Sequence, residues 1–278
     1  MYEDERPPAA GDGWQWERRE GVDYLVITAF RDLAGVRAVF SSRRGGVSTG
    51  DLASLNVGGR VGDEPAHVDE NRRQLARAAG MPLPWVGAEQ VHGDRIGVLV
   101  AGNAAPGSVV PGVDGLCTDL AGVPLSIYTA DCVPVYLADR SGRVVAVVHA
   151  GWRGTALGIA ARAVRALQSV LKVEPGRLVA AVGPSIGPEC YEVDEPVRAA
   201  MDGAGLRGWE RYFRANRPGH FLMDLWGLNR AWLVSAGVNE DAIFTAGLCT
   251  HCHPGWFYSH RQSGGHTGRQ VALIAAGI

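Results

Sequence analysis

The chain has 278 residues, 46% of them hydrophobic, with 27 basic side chains against 29 acidic and a formal net charge of −2. A chain of roughly 300 residues hides about three quarters of its unfolded surface, so this one can bury a sizeable core. Balanced charge without a basic stripe, and no apolar run near the ~18 residues of a membrane span, argue against nucleic-acid and membrane partners and for small or neutral ones. Residues 1–20 read as a weakly ordered N-terminal tail, acidic and proline-bearing over Met1–Ala10, with Trp14 and Trp16 alternating with polar residues where the tail joins a strand. This start has neither the basic n-region nor the apolar h-region of a secretory signal. Residues 21–278 read as a single domain. The five cysteines are an odd number in a mid-sized chain, which suits reduced thiols in a cytoplasmic protein rather than a disulfide framework.

Short apolar runs rich in Val, Ile or Ala, bounded by Gly, Pro or Asp, predict strands at Tyr24–Ala29, Ile96–Val100, Leu125–Ala130, Val144–His149, Leu178–Gly183, Ile243–Gly247 and Val271–Ala275. Helices are predicted at Val68–Ala79, stopped by Gly80, at Thr155–Leu171 and at Phe221–Ala236. The second carries Leu157, Ala160, Val164, Leu167 and Leu171 on one stripe. Strands and helices mix without a strict βαβ rhythm, so the expected class is α+β, mixed β-sheets packed with helices.

His92, Cys132 and His149 each lie beside turn signals, the latter two at strand ends. Strand ends hold side chains rigidly at a rim open to substrate. Two imidazoles and a thiolate suit zinc, and three protein ligands leave a fourth position open. Two other readings compete: packed histidines with a core cysteine, and an unmetallated Cys132–His149 nucleophilic pair. Arg43, in a turn with Gly45 and Gly46, suits a phosphate clamp or a solvated hairpin. Asn56 is a candidate for ribose or phosphate binding, or closes a turn. Arg153, at the start of the second helix, suits an anion or open solvent. Trp152 reads as core cover, and Asp131 as a group orienting a ligand histidine or capping a turn. Cys249-Thr250-His251-Cys252-His253 has metal-binding chemistry, but no second Cys-x-x-Cys closes a tetrahedron, so no dedicated metal is expected there. Gly183-Pro184-Ser185-Ile186-Gly187 lacks the lysine of a P-loop.

Several segments together resemble a known family. They are Ser41-Ser42-Arg43-Arg44-Gly45-Gly46-Val47-Ser48, Ser54-Leu55-Asn56-Val57, Val61-Gly62-Asp63, Asn71-Arg72, Gln90-Val91-His92-Gly93, Thr129-Ala130-Asp131-Cys132-Val133-Pro134, His149-Ala150-Gly151-Trp152-Arg153-Gly154, Gly183 to Gly187, Cys190-Tyr191-Glu192-Val193, Phe257-Tyr258-Ser259-His260-Arg261 and Thr267-Gly268-Arg269. From about residue 35 onward the chain is similar to the laccase-domain family, also called multicopper polyphenol oxidases or peptidoglycan editing factors and, more recently, purine nucleoside phosphorylases. The resemblance implies one zinc on His92, Cys132 and His149. It also implies a single catalytic domain with a fold similar to a bacterial toxin's Cys–His hydrolase domain. The implied activity is phosphorolysis of adenosine, inosine, guanosine and methylthioadenosine, with adenosine deamination at the same site. Purine nucleosides and phosphate are then the expected small-molecule partners, with Arg43, Asn56 and Arg153 as candidate substrate ligands. The chain departs from the family pattern at Gln262 and Ser263, where Arg and Asp are usual. A copper-dependent polyphenol oxidase and an amidase editing peptidoglycan precursors are the alternatives. The first needs clustered His-x-His pairs, and His251 with His253 is the one such pair. A non-enzymatic binding protein is the third.

Overall fold

A computed structural model describes residues 6–278. The strands, in chain order, are β1 (Trp14–Arg19), β2 (Val22–Ile27), β3 (Arg37–Ser41), β4 (Val86–Ala88), β5 (Ile96–Leu99), β6 (Val109–Val110), β7 (Gly115–Thr118), β8 (Leu125–Thr129), β9 (Val133–Asp139), β10 (Val145–Ala150), β11 (Leu178–Val182), β12 (Glu192–Asp194), β13 (Phe213–Ala215), β14 (His220–Met223), β15 (Ile243–Thr245) and β16 (Gln270–Ala275). The helices are α1 (Pro65–Ala79), α2 (Trp152–Ala156), α3 (Ile159–Ser169), α4 (Glu195–Ala199) and α5 (Leu225–Ser235). One sheet runs β1-β2-β3-β16-β8-β4-β6, a second β15-β11-β9-β10-β7-β5, and a small third β12-β14-β13. Both large sheets mix parallel and antiparallel neighbours, so the class is α+β as expected.

The central strands are apolar on both faces because both faces are covered. Along β9, Val133, Val135 and Leu137 face α3 and α5, whereas Tyr136 and Ala138 face the other large sheet. From that sheet Phe40, Ile127, Ala272 and Ile274 meet them. Its far face, with Val39, Val271 and Leu273, packs on Leu75, Ala76 and Ala79 of α1. The order is therefore helix, sheet, sheet, helices. Tyr136 is fully buried between the sheets, and its hydroxyl donates to the Val39 carbonyl at 3.0 Å. That bond contributes about 1 kcal/mol net and would cost more if left unmade.

All seven expected strands form, with ends shifted by a residue or two. Two differences have local causes. The predicted Thr155–Leu171 helix is two helices, α2 and α3, because Gly158 turns left-handed at φ 72 against the Trp232 ring. The predicted Phe221–Ala236 helix begins late: Phe221–Met223 belongs to β14, and Asp224 caps α5 by accepting the Gly227 amide at 2.9 Å. Within the segment expected as a tail, residues 14–19 form β1 on the edge of the larger sheet, while residues 1–5 lie outside the described residues. Among the described residues no helix is long and apolar enough to cross a membrane.

Candidate active site and metal centre

β9 and β10 are antiparallel neighbours in which His149 stands opposite Pro134 and Ala150 opposite Val133. Cys132, one residue before β9, therefore comes beside Gly151, one residue after β10. A Cβ on Gly151 would lie 3.1 Å from Cys132 Sγ and 3.3 Å from the His92 ring, so a larger residue would crowd these two side chains. The donor atoms of His92, Cys132 and His149 all lie within 4.8 Å of one another. His149 is buried, Cys132 partly so, and His92 exposed.

Asp114, fully buried at the start of β7, holds both histidines in place. One of its oxygens accepts from His149 Nδ1 at 2.8 Å and from the His92 amide at 2.9 Å. The other accepts the Val91 and Gly93 amides at 3.1 and 2.7 Å. These bonds stabilise the left-handed backbone of His92, φ 59, an unusual conformation for a non-glycine residue. Gln90 adds a further anchor: its amide donates to the Tyr128 carbonyl and accepts the Tyr128 amide, like one more rung on β8.

The charges follow. Burial opposes the Asp114 carboxylate, but the bonds from His149 and the Gly93 amide hold its pKa below the ordinary value. Burial also opposes the Cys132 thiolate, yet the two imidazoles pull that pKa down to about 6. Burial works against the His149 imidazolium, and the Cys132 and Asp114 anions overcome it, raising the pKa to about 9. A thiolate with two imidazoles, one of them backed by a carboxylate, fits zinc in ligand type, count and outer support.

The trio sits in a cleft of about 760 Å³, in the size range of small-molecule sites. Arg60, Arg72, Arg261 and Arg269 line it, against one acidic group, Asp131. Two tyrosine rings, Tyr128 and Tyr191, also line it, with Arg72 over the first at 5.5 Å and Arg261 over the second at 5.2 Å. Thr129 is 2% exposed, and its hydroxyl has no hydrogen-bond partner among the described residues.

Other expected site residues lie elsewhere. Arg43 borders a separate depression, and its guanidinium is taken up by the Ala53 and Pro254 carbonyls at 2.7–2.9 Å. Arg153 is exposed, 4.3 Å over the Trp152 ring, on a five-residue helix rather than the start of a long one. Asn56 is fully buried; its Oδ1 accepts the Gly58 and Arg269 amides and its Nδ2 donates to Asp63 at 2.7 Å. It thus shapes the cleft wall without facing the cleft. Asp131 orients no histidine: it accepts the Thr250 hydroxyl at 2.6 Å and the Arg261 amide at 2.7 Å, tying two turns to the Cys132 strand end. Gln262 and Ser263 do not line the cleft. Sequence reasoning missed Asp114, whose one signal was an acid between Val113 and Gly115-Leu116, just before a strand. It also left Arg72, Arg269 and Tyr128 without roles.

Fold and site together define a mixed α+β protein with a three-ligand, metal-capable centre at its sheet ends, open to an arginine-lined cleft. Residues 37–277 match the family described as multi-copper polyphenol oxidoreductase laccase, and the chain belongs to that family. The purine nucleoside phosphorylase YlmD of Geobacillus stearothermophilus is 42% identical over 251 residues, 87% of this chain and 90% of that protein. YfiH of Escherichia coli, also named a purine nucleoside phosphorylase, is 34% identical over 250 residues, 90% of this chain and 98% of that one. The crystal structure of Geobacillus stearothermophilus YlmD matches with a TM-score of 0.88 at 41% identity, covering 95% of this chain and 99% of that chain.

Proposed function

We propose that the chain is a zinc-dependent purine nucleoside phosphorylase, taking adenosine, inosine, guanosine and methylthioadenosine, with adenosine deamination in the same cleft. One observation carries the reading: four arginines ring a nucleoside-sized cleft that also contains the His92, Cys132 and His149 centre. The names of the relatives support it. Phosphorolysis needs an anion held beside an apolar base. A phosphate oxygen attacks C1′ of the ribose, the C1′–N bond breaks with its electron pair going to the base, and the base gains a proton.

Arg269 and Arg72 are the arginines we assign to phosphate. Burial lowers the Arg269 pKa, the mark of a poorly hydrated cation, and such a cation gains most from an anion. Tyr128 and Tyr191 offer faces for the purine. The unpartnered Thr129 hydroxyl is free to bind ribose or base. Asp114 accepts a hydrogen bond from His149 Nδ1 and leaves Nε2 for the cleft. Zinc held by His92, Cys132 and His149 would supply a Lewis acid next to the bound nucleoside. Five free cysteines suit work in a reducing cytoplasm.

Incubation with adenosine, with and without phosphate, tests the reading. Adenine and ribose 1-phosphate should appear only with phosphate; inosine should accumulate without it and pass on to hypoxanthine with it. Inosine alone would leave a deaminase. Free adenine without phosphate would mean a hydrolase. Inertness toward all four nucleosides would end the proposal, with phenol oxidation on copper or cleavage of a cell-wall precursor as its replacement.

A further inference from the structure

A second His/Cys cluster lies outside the cleft, on turns. The turn after β11 carries Cys190, and the turn after β15 carries Cys249, His251 and Cys252. The backbone zips the two turns together: Ser185 receives the Thr250 amide at 3.0 Å and donates its own to Leu248 at 3.2 Å. This brings the sulfurs of Cys190 and Cys252 to 3.3 Å, and the donor atoms of Cys190, His251 and Cys252 all lie within 4.8 Å of one another. Cys249, three residues before Cys252, lies outside this mutually close trio. The Gly187 amide donates to its sulfur at 3.1 Å.

We propose that Cys190, Cys249, His251 and Cys252 form a second metal site, a structural zinc site that clips these two turns together. Cys190, His251 and Cys252 supply three mutually close ligands, and Cys249 would move in as the fourth to close the tetrahedron that structural zinc requires. Cys249 and Cys252 supply the Cys-x-x-Cys half, and tertiary structure supplies the missing third sulfur from Cys190. Zinc–sulfur bonds of about 2.3 Å place two tetrahedral ligands about 3.8 Å apart. The 3.3 Å separation is near that spacing and far from the ~2.05 Å of a disulfide. The Gly187 amide on Cys249 is the outer hydrogen bond expected of a metal-bound thiolate. The clip would fix Tyr191, the neighbour of Cys190, where it lines the cleft.

Elemental analysis should find two zinc ions per wild-type chain, one in His149→Ala and one in Cys252→Ser. Cobalt(II) added to metal-stripped His149→Ala should give the strong near-ultraviolet absorption of several thiolate ligands. The band should vanish with the added Cys252→Ser change and survive Cys117→Ser. A measurement without variants guards against misfolding: iodoacetamide should modify Cys190, Cys249 and Cys252 of the wild-type protein only after chelation. Loss of zinc from Cys252→Ser but not from His149→Ala would support this site and overturn the zinc reading of the first. Absence of the cobalt band, equal alkylation with and without chelator, or a Cys190–Cys252 disulfide in the protein as purified would overturn the proposal.

Discussion

The two His/Cys clusters use similar ligand atoms in opposite settings. His92, Cys132 and His149 hang from a sheet corner, and one buried carboxylate, Asp114, grips both imidazole-bearing segments. That set has three ligands and faces a cleft. Cys190, His251 and Cys252, with Cys249 as the proposed fourth ligand, sit on turns held by backbone bonds, and among the described residues no carboxylate is hydrogen-bonded to their imidazole. Rigid strand ends with a spare position suit chemistry; a filled tetrahedron on loops suits stapling.

Cysteine exchange should break this comparison most sharply. Cys132→Ala should reduce phosphorolysis to background while Cys252→Ala keeps most of it, each checked for folding by circular dichroism. Equal loss in two folded variants would mean that the clusters serve one function.

Asp114→Asn comes next in size. It keeps the shape but loses the charge that orients His149 and the His92 turn. A drop of about 10–100-fold in metal affinity or activity is expected, since outer partners of metal ligands are worth roughly that much. Chelator competition measures it, and an unchanged affinity would remove Asp114 from the centre.

The arginines give an effect confined to one substrate. Arg269→Ala should raise the KM for phosphate roughly tenfold or more with little change for nucleoside, as losing ~1.5–3 kcal/mol of charge-assisted bonding implies. Arg43→Ala should leave phosphate dependence alone and lower Tm, because two backbone carbonyls lose their donor. The reverse pattern in steady-state kinetics would return Arg43 to the phosphate site.

Much of the frame was legible along the chain. Apolar runs in Leu125–Thr129, Val145–Ala150 and Gln270–Ala275 become central strands because both faces are buried. β9 was not anticipated: Pro134 lacks an amide to donate and argues against a central strand, but it sits near the strand's start, opposite His149. The stripe over residues 155–171 persists across the break at Gly158 because α2 and α3 bury residues in the same core. Periodicity therefore could not reveal two helices.

Residue type and local motif determined which groups could bind a metal: the imidazoles of His92 and His149, the Cys132 thiol, and the Cys249–Cys252 pair with His251. They also set the glycine at 151 that leaves room beside Cys132 and His92. Only tertiary structure decided how those groups combine. Antiparallel register joins Cys132 to His149, Asp114 arrives from a neighbouring strand, and Cys190 crosses from another turn. Arg43 shows the same limit: its sequence setting resembles an anion clamp, but nearby carbonyls occupy its donors. A guanidinium's role depends on which acceptors the fold brings within about 3 Å, and that distance is a property of packing rather than of sequence spacing.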